Sequence, residues 1–380
     1  MTSIRLCGLA LTALITTVAL TGCAAERPSV PRLEKVALAT DANLQRIAKL
    51  STLSDELVTA LVPADKPGCS AAVGVRGDVV WAAAAGLADL TSREPLTTST
   101  RFDMASISKQ FTATALLNVQ REGVLSLDDA VAVHVDGLPR WANDITLEQL
   151  MHHTARVPEF WVELEKTGIG FTDPADHDTV LAAIAREEEL VEGEGYAYSN
   201  SHYVLLAEVI EAVKGQPFAL HLDELISRAL DLDLTVAPGA VEPDIATPYD
   251  ADLSVLRGGW TAYGHSGIVT TPSDLVRWGD QYRLGELVPD DAVDEVVTVR
   301  DEDGQENGEL YGAGIRLEPD GSLYHSGRWG GFISDLTITP DRQTVIAVAC
   351  NGRAAPRFEV ADAVRQVWAP IPVDAQSTAD

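Results

Sequence analysis

A serine and a lysine three residues apart form the pattern in this chain that most directly predicts covalent chemistry. Ser106 and Lys109 stand in the segment Phe102-Asp-Met-Ala-Ser-Ile-Ser-Lys109, and no other lysine has a serine at this spacing. On a helix, residues three apart share one face, so the amine would lie beside the hydroxyl. A serine hydroxyl becomes a strong nucleophile when a neighbouring base takes its proton. The spacing predicts a serine nucleophile activated by lysine, although chance alone also produces it.

The surrounding sequence places Ser106 near the start of a helix. Pro95 and the threonines at 97, 98 and 100 predict a loop, and a helical pattern follows over residues 111–120. The free N–H groups and the dipole at a helix N-terminus favour developing negative charge. This position therefore suits a serine that attacks a carbonyl group.

A second candidate element is Tyr198-Ser199-Asn200, directly before a helical pattern over residues 203–213. A phenol can relay a proton to a leaving group, and an amide can orient the amide of a substrate. The alternative is a core tyrosine followed by a helix cap, which is the commoner origin of such a triplet.

A third candidate element is His325-Ser326-Gly327, in a strand-like stretch before two glycines. An edge strand here could pair with a substrate backbone, and Gly327 would let the substrate approach closely. The triplet His265-Ser266-Gly267 repeats this pattern, but residues 268–275 after it are typical of a turn and the start of a helix. We therefore favour the later copy.

Strand patterns lie at both ends of the chain and helical patterns lie between them. The predicted hairpins are 69–75 with 78–85 and 331–339 with 343–350, and the predicted helices are 41–62, 113–120, 147–152, 180–186 and 203–213. This arrangement predicts an α+β fold with an antiparallel sheet built from the N- and C-terminal segments and an inserted, mostly helical region. We expect one domain over 41–372, with its α/β part at about 41–110 and 260–372 and its helical part at about 111–259.

The N-terminus has the features of an export signal. Residues 6–20 are almost wholly apolar after one arginine, and Leu20-Thr-Gly-Cys23 resembles a bacterial lipobox. We expect a signal peptide at 1–22, lipidation of Cys23 and a proline-containing tether over 23–40; the alternative is an ordinary signal peptide. The protein would then be exported and lipid-anchored on the outer face of the bacterial cytoplasmic membrane, or on its periplasmic side. The small, polar tail at 373–380 is predicted to be disordered.

Charge and cysteine usage limit the partners and the redox state. The chain has 28 Lys and Arg against 57 Asp and Glu, a net charge of −29. That charge repels nucleic acid and anionic headgroups, so we expect neither as a partner and membrane contact only through the lipid. Cys7 would leave with the signal, and the domain keeps Cys69 and Cys350. These form either a disulfide or two buried thiols.

In this order and spacing, the three elements resemble the serine β-lactamase and penicillin-binding family. The Tyr-x-Asn form of the second element points to its class C β-lactamase and DD-peptidase branch, which also includes D-aminopeptidases and esterases. The resemblance runs from about residue 44 to 367 and includes the stretches 125–129, 145–154 and 266–275. It implies neighbouring first and last strands, which would bring Cys69 and Cys350 close enough for a disulfide.

The resemblance implies a role for each matching residue. Ser106 would form the acyl-enzyme with help from Lys109, and Tyr198 would shuttle the proton. The implied substrate contacts are Asn200, His325, Ser326 and Gly327, and the implied oxyanion hole uses the backbone N–H groups of Ser106 and Arg328.

Three positions depart from the pattern of these relatives or extend it. His325 stands where many β-lactamases have lysine, and a mostly neutral histidine attracts a substrate carboxylate less. Arg316, in Tyr311-Gly-Ala-Gly-Ile-Arg316, would supply the missing cation or is a surface arginine. Arg156 follows Ala155 where relatives have Ser-Gly, which would cost about 1 kcal/mol if the turn needs a positive φ.

These features predict acyl transfer through Ser106 without a metal or organic cofactor. The expected substrates are D-Ala-D-Ala peptides of peptidoglycan or β-lactams, as for a DD-carboxypeptidase or β-lactamase. A carboxylesterase or D-aminopeptidase on the same scaffold is the nearest alternative. A non-catalytic penicillin-binding sensor lipoprotein is the alternative of another class.

Overall fold

The computed structural model describes residues 41–300 and 306–368. The predicted signal peptide at 1–22, the tether at 23–40 with Cys23, and the tail at 373–380 lie outside the described residues.

The strands of the described part, in chain order, are β1 (Cys69–Val75), β2 (Asp78–Ala85), β3 (Leu87–Asp89), β4 (Glu94–Pro95), β5 (Phe102–Asp103), β6 (Thr235–Val236), β7 (Ile268–Thr270), β8 (Val297–Arg300), β9 (Glu306–Tyr311), β10 (Arg316–Leu317), β11 (Leu323–Trp329), β12 (Phe332–Ile338) and β13 (Thr344–Cys350). The largest sheet in this part has eight antiparallel strands in the order β2-β1-β13-β12-β11-β10-β9-β8. The first strands of the chain therefore lie beside the last.

The helices of the described part are α1 (Asp41–Leu61), α2 (Ser108–Arg121), α3 (Leu147–Met151), α4 (Phe160–Lys166), α5 (His177–Ile184), α6 (Asn200–Lys214), α7 (Phe218–Leu222), α8 (Arg228–Leu230), α9 (Pro272–Gly279), α10 (Gln281–Leu284), α11 (Asp291–Asp294) and α12 (Arg357–Trp368). Short 3-10 turns cover Ala105–Ile107, Val131–Val133 and Arg140–Asn143, and a π-helical turn covers Asp223–Ser227. Helices α2 to α8 fall between β5 and β6 along the chain, as the expected helical insertion does.

The central strands of the large sheet are covered on both faces. Strand residues alternate between the faces. Ala71 and Val73 of β1 pack with α1 and α12, whereas Ala72 between them belongs to the larger core that includes α2 and α9. Every residue of β1 and β13 is buried, which explains why both strands are apolar runs rather than alternating ones.

A disulfide joins Cys69 at the start of β1 to Cys350 at the end of β13. The two residues are register partners in the antiparallel pair, with Cα atoms 4.0 Å apart. This is the pairing that the family resemblance implied.

Both predicted hairpins are confirmed, and the first has the predicted bounds. The expectation of a turn without a strand after Gly267 was wrong, because Ile268–Thr270 pairs with β5 and β6 before α9 begins. This strand is too short for an alternation pattern to show in the sequence. The strands β8 to β10 were also not foreseen. Among the described residues, no helix has the length and apolar character needed to cross a membrane.

Candidate active site

Ser106 lies in a sharp turn between β5 and α2. Ala105 before it has a φ of 51°, a left-handed conformation that costs a residue with a side chain about 1–2 kcal/mol. The carboxylate of Asp103 accepts the N–H of Ala105 at 2.8 Å and the N–H of Gly267 at 3.1 Å. These hydrogen bonds hold the turn in place, so that Ser106 stands at the start of the helix that also carries Lys109.

The Lys109 ammonium group is buried beside the Ser106 hydroxyl. Its Nζ lies 3.1 Å from Ser106 Oγ, 2.8 Å from Asn200 Oδ1 and 2.9 Å from the carbonyl oxygen of His265. Burial lowers the pKa of Lys109 to about 7, and the opposite charge of Glu159 raises it in part. A lysine with such a pKa is partly neutral near neutral pH, so it can accept the proton of Ser106.

Glu159 is a site residue that sequence reasoning missed. Its two carboxylate oxygens accept the backbone N–H and the side-chain Nδ2 of Asn200 at 3.0 and 3.1 Å. This clamp turns the Asn200 amide so that its oxygen faces Lys109. Burial raises the pKa of Glu159 to about 7. Nothing in the local sequence singles out Glu159, because its partners come from helices α2 and α6.

Tyr198 lies over the Lys109 amine, with Nζ 4.9 Å from the ring centroid. Burial raises the pKa of Tyr198 above its ordinary value, and a hydrogen bond with Ser106 opposes the rise. The phenol therefore stays protonated at neutral pH and can donate that proton. The Ser106, Lys109 and Tyr198 side chains thus meet as the sequence predicted.

A buried pair of histidines, His153 and His202, packs beside Tyr198. Because His202 Nε2 accepts the N–H of Val157 at 3.1 Å, its other nitrogen carries the hydrogen and donates to His153 Nδ1 at 2.9 Å. The His153 ring packs 4.2 Å from the Tyr198 ring, centroid to centroid. Burial lowers the pKa of both histidines. Both rings are therefore neutral, and they position the tyrosine without adding charge.

Strand β11 lies against the turn that carries Ser106. A Cβ atom on Gly327 would lie 2.4 Å from the carbonyl oxygen of Met104 and 2.9 Å from the Ala105 Cβ, so only glycine permits this contact. Strand β10 pairs with β11 only at Leu323 and Tyr324. The edge of β11 beyond these residues, which includes the Arg328 N–H, is therefore not covered by β10. A substrate backbone could pair there.

His325 is neutral in this site. Its Nδ1 donates to the Ser326 carbonyl oxygen at 2.7 Å, so its Nε2 is the acceptor for the Tyr311 hydroxyl at 3.3 Å. Burial, with the charges of Arg316 and Lys109, lowers the pKa of His325 to about 3. Arg316 lies close enough to influence this pKa, but its guanidinium forms an ion pair with Glu309 at 2.5 Å. Arg316 therefore lies beside the site, and the carboxylate of Glu309 already balances its positive charge.

Two other predictions gain a structural account. Arg156 has a φ of 58°, the positive value that its position in the turn was expected to need. Its guanidinium donates to the carbonyl oxygens of Val191, Glu192 and Glu194.

The triplet that was set aside, His265-Ser266-Gly267, contributes to the site through its backbone, because the His265 carbonyl oxygen accepts a hydrogen bond from Lys109. No group of three or more His, Cys, Asp or Glu side chains in the described ranges could hold a metal ion.

A serine beside a buried lysine and a tyrosine, next to an open strand of an antiparallel sheet, defines the serine hydrolases of the β-lactamase and penicillin-binding fold. A model of the Beta-lactamase family matches residues 55–367. The chain therefore belongs to this family, whose members are serine hydrolases.

The relatives span several activities. A penicillin-binding protein of Bacillus subtilis (strain 168) is 30% identical over 151 residues, covering 38% of this chain and 32% of that protein. A D-aminopeptidase of Brucella anthropi is 28% identical over 222 residues, covering 56% of this chain and 42% of that protein. The chain thus matches less than half of the length of either relative. The octameric penicillin-binding protein homologue from Pyrococcus abyssi shares the fold, with a TM-score of 0.70, 23% identity, and coverage of 84% of this chain and 76% of that chain.

Proposed function

We propose that this protein hydrolyses amide or ester bonds through an acyl-enzyme on Ser106. The observation that carries this proposal is the 3.1 Å contact between Ser106 Oγ and the buried Nζ of Lys109. Lysine with a pKa lowered to about 7 by burial serves as a base near neutral pH. A binding protein without catalysis has no need of such a base.

In the proposed reaction, neutral Lys109 takes the hydroxyl proton as Ser106 Oγ bonds to the substrate carbonyl carbon. The carbonyl π electrons move to the oxygen, which the N–H groups of Ser106 and Arg328 stabilise. When the C–N or C–O bond breaks, the leaving group takes a proton from Tyr198, which regains one from Lys109. Water then attacks the ester carbonyl carbon and passes a proton through Tyr198 or Lys109 to Ser106 Oγ. The ester C–O bond breaks, which releases the acid and free Ser106.

For the substrate, the sequence points to D-Ala-D-Ala peptides of peptidoglycan or β-lactams, and we retain this proposal. Such substrates end in a carboxylate, and Arg316 is the guanidinium beside His325 that could bind it. The ion pair with Glu309 opposes this role, because the substrate would compete with a carboxylate already in place.

The second candidate, a D-aminopeptidase-like activity, is favoured by Glu159. The Asn200 Nδ2 group, which would donate to a substrate carbonyl, is already bonded to the Glu159 carboxylate. The site therefore offers carboxylate oxygens near Lys109, which suit a substrate group that donates hydrogen bonds, such as an amine. The carboxylesterase alternative requires neither the positive charge of Arg316 nor the negative charge of Glu159.

The first experiment is intact-protein mass spectrometry after incubation with penicillin or a fluorophosphonate. We expect one adduct on the wild type and none on Ser106→Ala. Folded wild-type protein that forms no adduct with either reagent would overturn the hydrolase proposal and leave the sensor lipoprotein as the alternative.

The second experiment compares turnover of a D-Ala-D-Ala peptide, a D-amino acid amide with a free amine and a short-chain ester. If Arg316→Ala loses only the peptide activity, the carboxypeptidase proposal stands. If Glu159→Gln loses amide turnover while ester turnover persists, the aminopeptidase proposal stands. Turnover of the ester alone would contradict both and favour an esterase.

We also propose that the protein is exported and anchored by a lipid on Cys23. The support is the apolar run before Leu20-Thr-Gly-Cys23. In a bacterial host, the wild type should fractionate with membranes and carry a diacylglyceryl mass, and Cys23→Ser should lose both. A soluble wild-type protein without added mass would contradict the anchor.

A further inference from the structure

The buried guanidinium of Arg357 bonds to the peptide group that supplies half of the proposed oxyanion hole. Arg357 begins helix α12 and is 8% exposed. Its Nη1 donates to the carbonyl oxygen of Gly327 at 3.1 Å and to that of Ser334 at 3.0 Å. Gly327 and Ser334 are register partners on β11 and β12. Arg357 therefore reaches the two strands from the face covered by α12.

The Gly327 carbonyl and the Arg328 N–H belong to one peptide group. Resonance couples the oxygen and nitrogen of a peptide, so a charge-assisted hydrogen bond to the oxygen draws electron density from the nitrogen. The N–H then becomes a stronger donor, as in chains of hydrogen bonds that polarise one another. An arginine stays protonated in proteins, so this effect is permanent.

The surroundings of Arg357 hold its guanidinium in place and screen its positive charge only weakly. The Phe358 ring covers the guanidinium, with Cζ 3.9 Å from the ring centroid. The carboxyl group whose charge acts on the pKa of Arg357 is Asp335, which is 1% exposed and accepts the Tyr324 hydroxyl at 3.1 Å rather than a bond from Arg357. Charges act more strongly in such a low-dielectric site than in water.

We propose that Arg357 is a positioning residue that polarises the Gly327–Arg328 peptide and so strengthens the Arg328 N–H as an oxyanion donor. The inference rests on the proposed acyl-enzyme function. The alternative is a structural role, in which Arg357 only holds the β11–β12 hairpin to α12. The two roles differ in what they do to the rate of acylation per folded molecule.

The test measures two quantities, the rate of fluorophosphonate addition to Ser106 and the affinity for phenylboronic acid. Both reagents place an oxygen in the proposed oxyanion hole. Removing one oxyanion donor typically costs about 100-fold or more, so we expect weakening this donor in Arg357→Met to cost about tenfold in both quantities. Arg357→Lys should recover part of the loss, because it keeps a cation. Arg365→Met is the matched control, because Arg365 lies on the same helix and bonds the Thr337 side chain instead.

The outcomes separate the inference from the function on which it rests. If wild-type Ser106 does not react, the proposed function fails and the inference fails with it. If the wild type reacts and folded Arg357→Met and Arg357→Lys keep its rate, only the inference is overturned. If Arg357→Met does not fold, Arg357→Lys decides: an unchanged rate overturns the inference, and a loss of rate without a matching loss of melting temperature supports it.

Discussion

At the scale of single residues, the site is governed by how burial sets protonation. Lys109 and Glu159 are both withdrawn from water and meet through the amide of Asn200. Burial favours the neutral form of each, lowering the pKa of one and raising that of the other to about 7. The mutual attraction of the charged forms opposes both shifts. The balance leaves the pKa of Lys109 near neutral pH.

Removing the Glu159 charge should therefore move the pH profile of acylation. In Glu159→Gln the carboxylate no longer raises the pKa of Lys109, so this pKa should fall below about 7. Lys109 must be neutral to accept the proton, so the acidic limb of kcat/KM should shift to lower pH. The measurement is the acylation rate between about pH 5 and pH 9.

Glu165→Gln, an exposed change on helix α4, which begins directly after Glu159, should leave the limb in place. A limb that does not move in Glu159→Gln, or that moves to higher pH, would contradict the assignment of the base to Lys109.

At the scale of elements, the strained turn before α2 presents Ser106, and Asp103 stabilises this turn. Asp103 is 5% exposed and accepts the N–H groups of Ala105 and Gly267, two residues that are distant from each other in the chain. Ser334 of β12 adds a hydrogen bond of 2.7 Å to the Met104 carbonyl oxygen. The turn is thus fixed by three segments at once, which allows Ala105 to keep its positive φ.

Replacing Asp103 should separate its hydrogen-bonding role from its charge. Asp103→Leu leaves two buried N–H groups without an acceptor, each costing about 1–3 kcal/mol of unfolding free energy. Asp103→Asn keeps an acceptor oxygen and should cost less. Denaturant unfolding at neutral pH measures both. Equal stability of the two variants would contradict the role of Asp103 as acceptor.

The charge of Asp103 also predicts a pH dependence. Burial raises its pKa from 3.8 to about 6 in the folded protein, so its contribution to wild-type stability is full below pH 3.8 and is lost as the pH rises to about 6. Asp103→Asn lacks this loss. Its stability relative to the wild type should therefore increase over that window, by at most about 3 kcal/mol. A constant difference in unfolding free energy between about pH 4 and pH 7 would contradict the shift.

At the scale of the whole molecule, the two ends of the chain form one sheet around the helical insertion. Cys69 and Cys350 are 281 residues apart in sequence and are bonded between neighbouring strands. Closing so long a loop in the unfolded chain restricts it strongly, which is how a disulfide stabilises a fold in the loop-entropy view. Strand β13 also pairs with β12 of the β11–β12 hairpin, so the disulfide also supports the strands that border the site.

The double variant Cys69→Ala, Cys350→Ala should lose about 2–4 kcal/mol of unfolding free energy. The adduct-forming rate of Ser106 should stay unchanged in the folded variant, because the β1–β13 ladder holds the sheet without the bond. Denaturant unfolding of the variant and of the wild type with and without reductant provides the comparison. A wild type that is equally stable in reductant and oxidant, once reduction is verified, would contradict the prediction.

The sequence by itself predicted the adjacent Ser106 and Lys109 side chains and the two hairpins at 69–75 with 78–85 and 331–339 with 343–350. Ser106 and Lys109 are three residues apart on one helix, and each predicted hairpin closes locally, so short-range periodicity carries this information. Tyr198 and His325 could be assigned because the family resemblance supplied the distant partners that spacing cannot.

Only the tertiary structure decided what surrounds these groups. Glu159 directly precedes α4, His265 lies in the loop before β7, and Arg357 begins α12. No local pattern marks Glu159 or Arg357, and the triplet that contains His265 was set aside in favour of the later copy. Likewise, the ion pair of Arg316 with Glu309 changes the charge available to a substrate. Burial, dielectric and long-range hydrogen bonds depend on how the packed elements meet, and these fix the charge state of the site that the sequence could only outline.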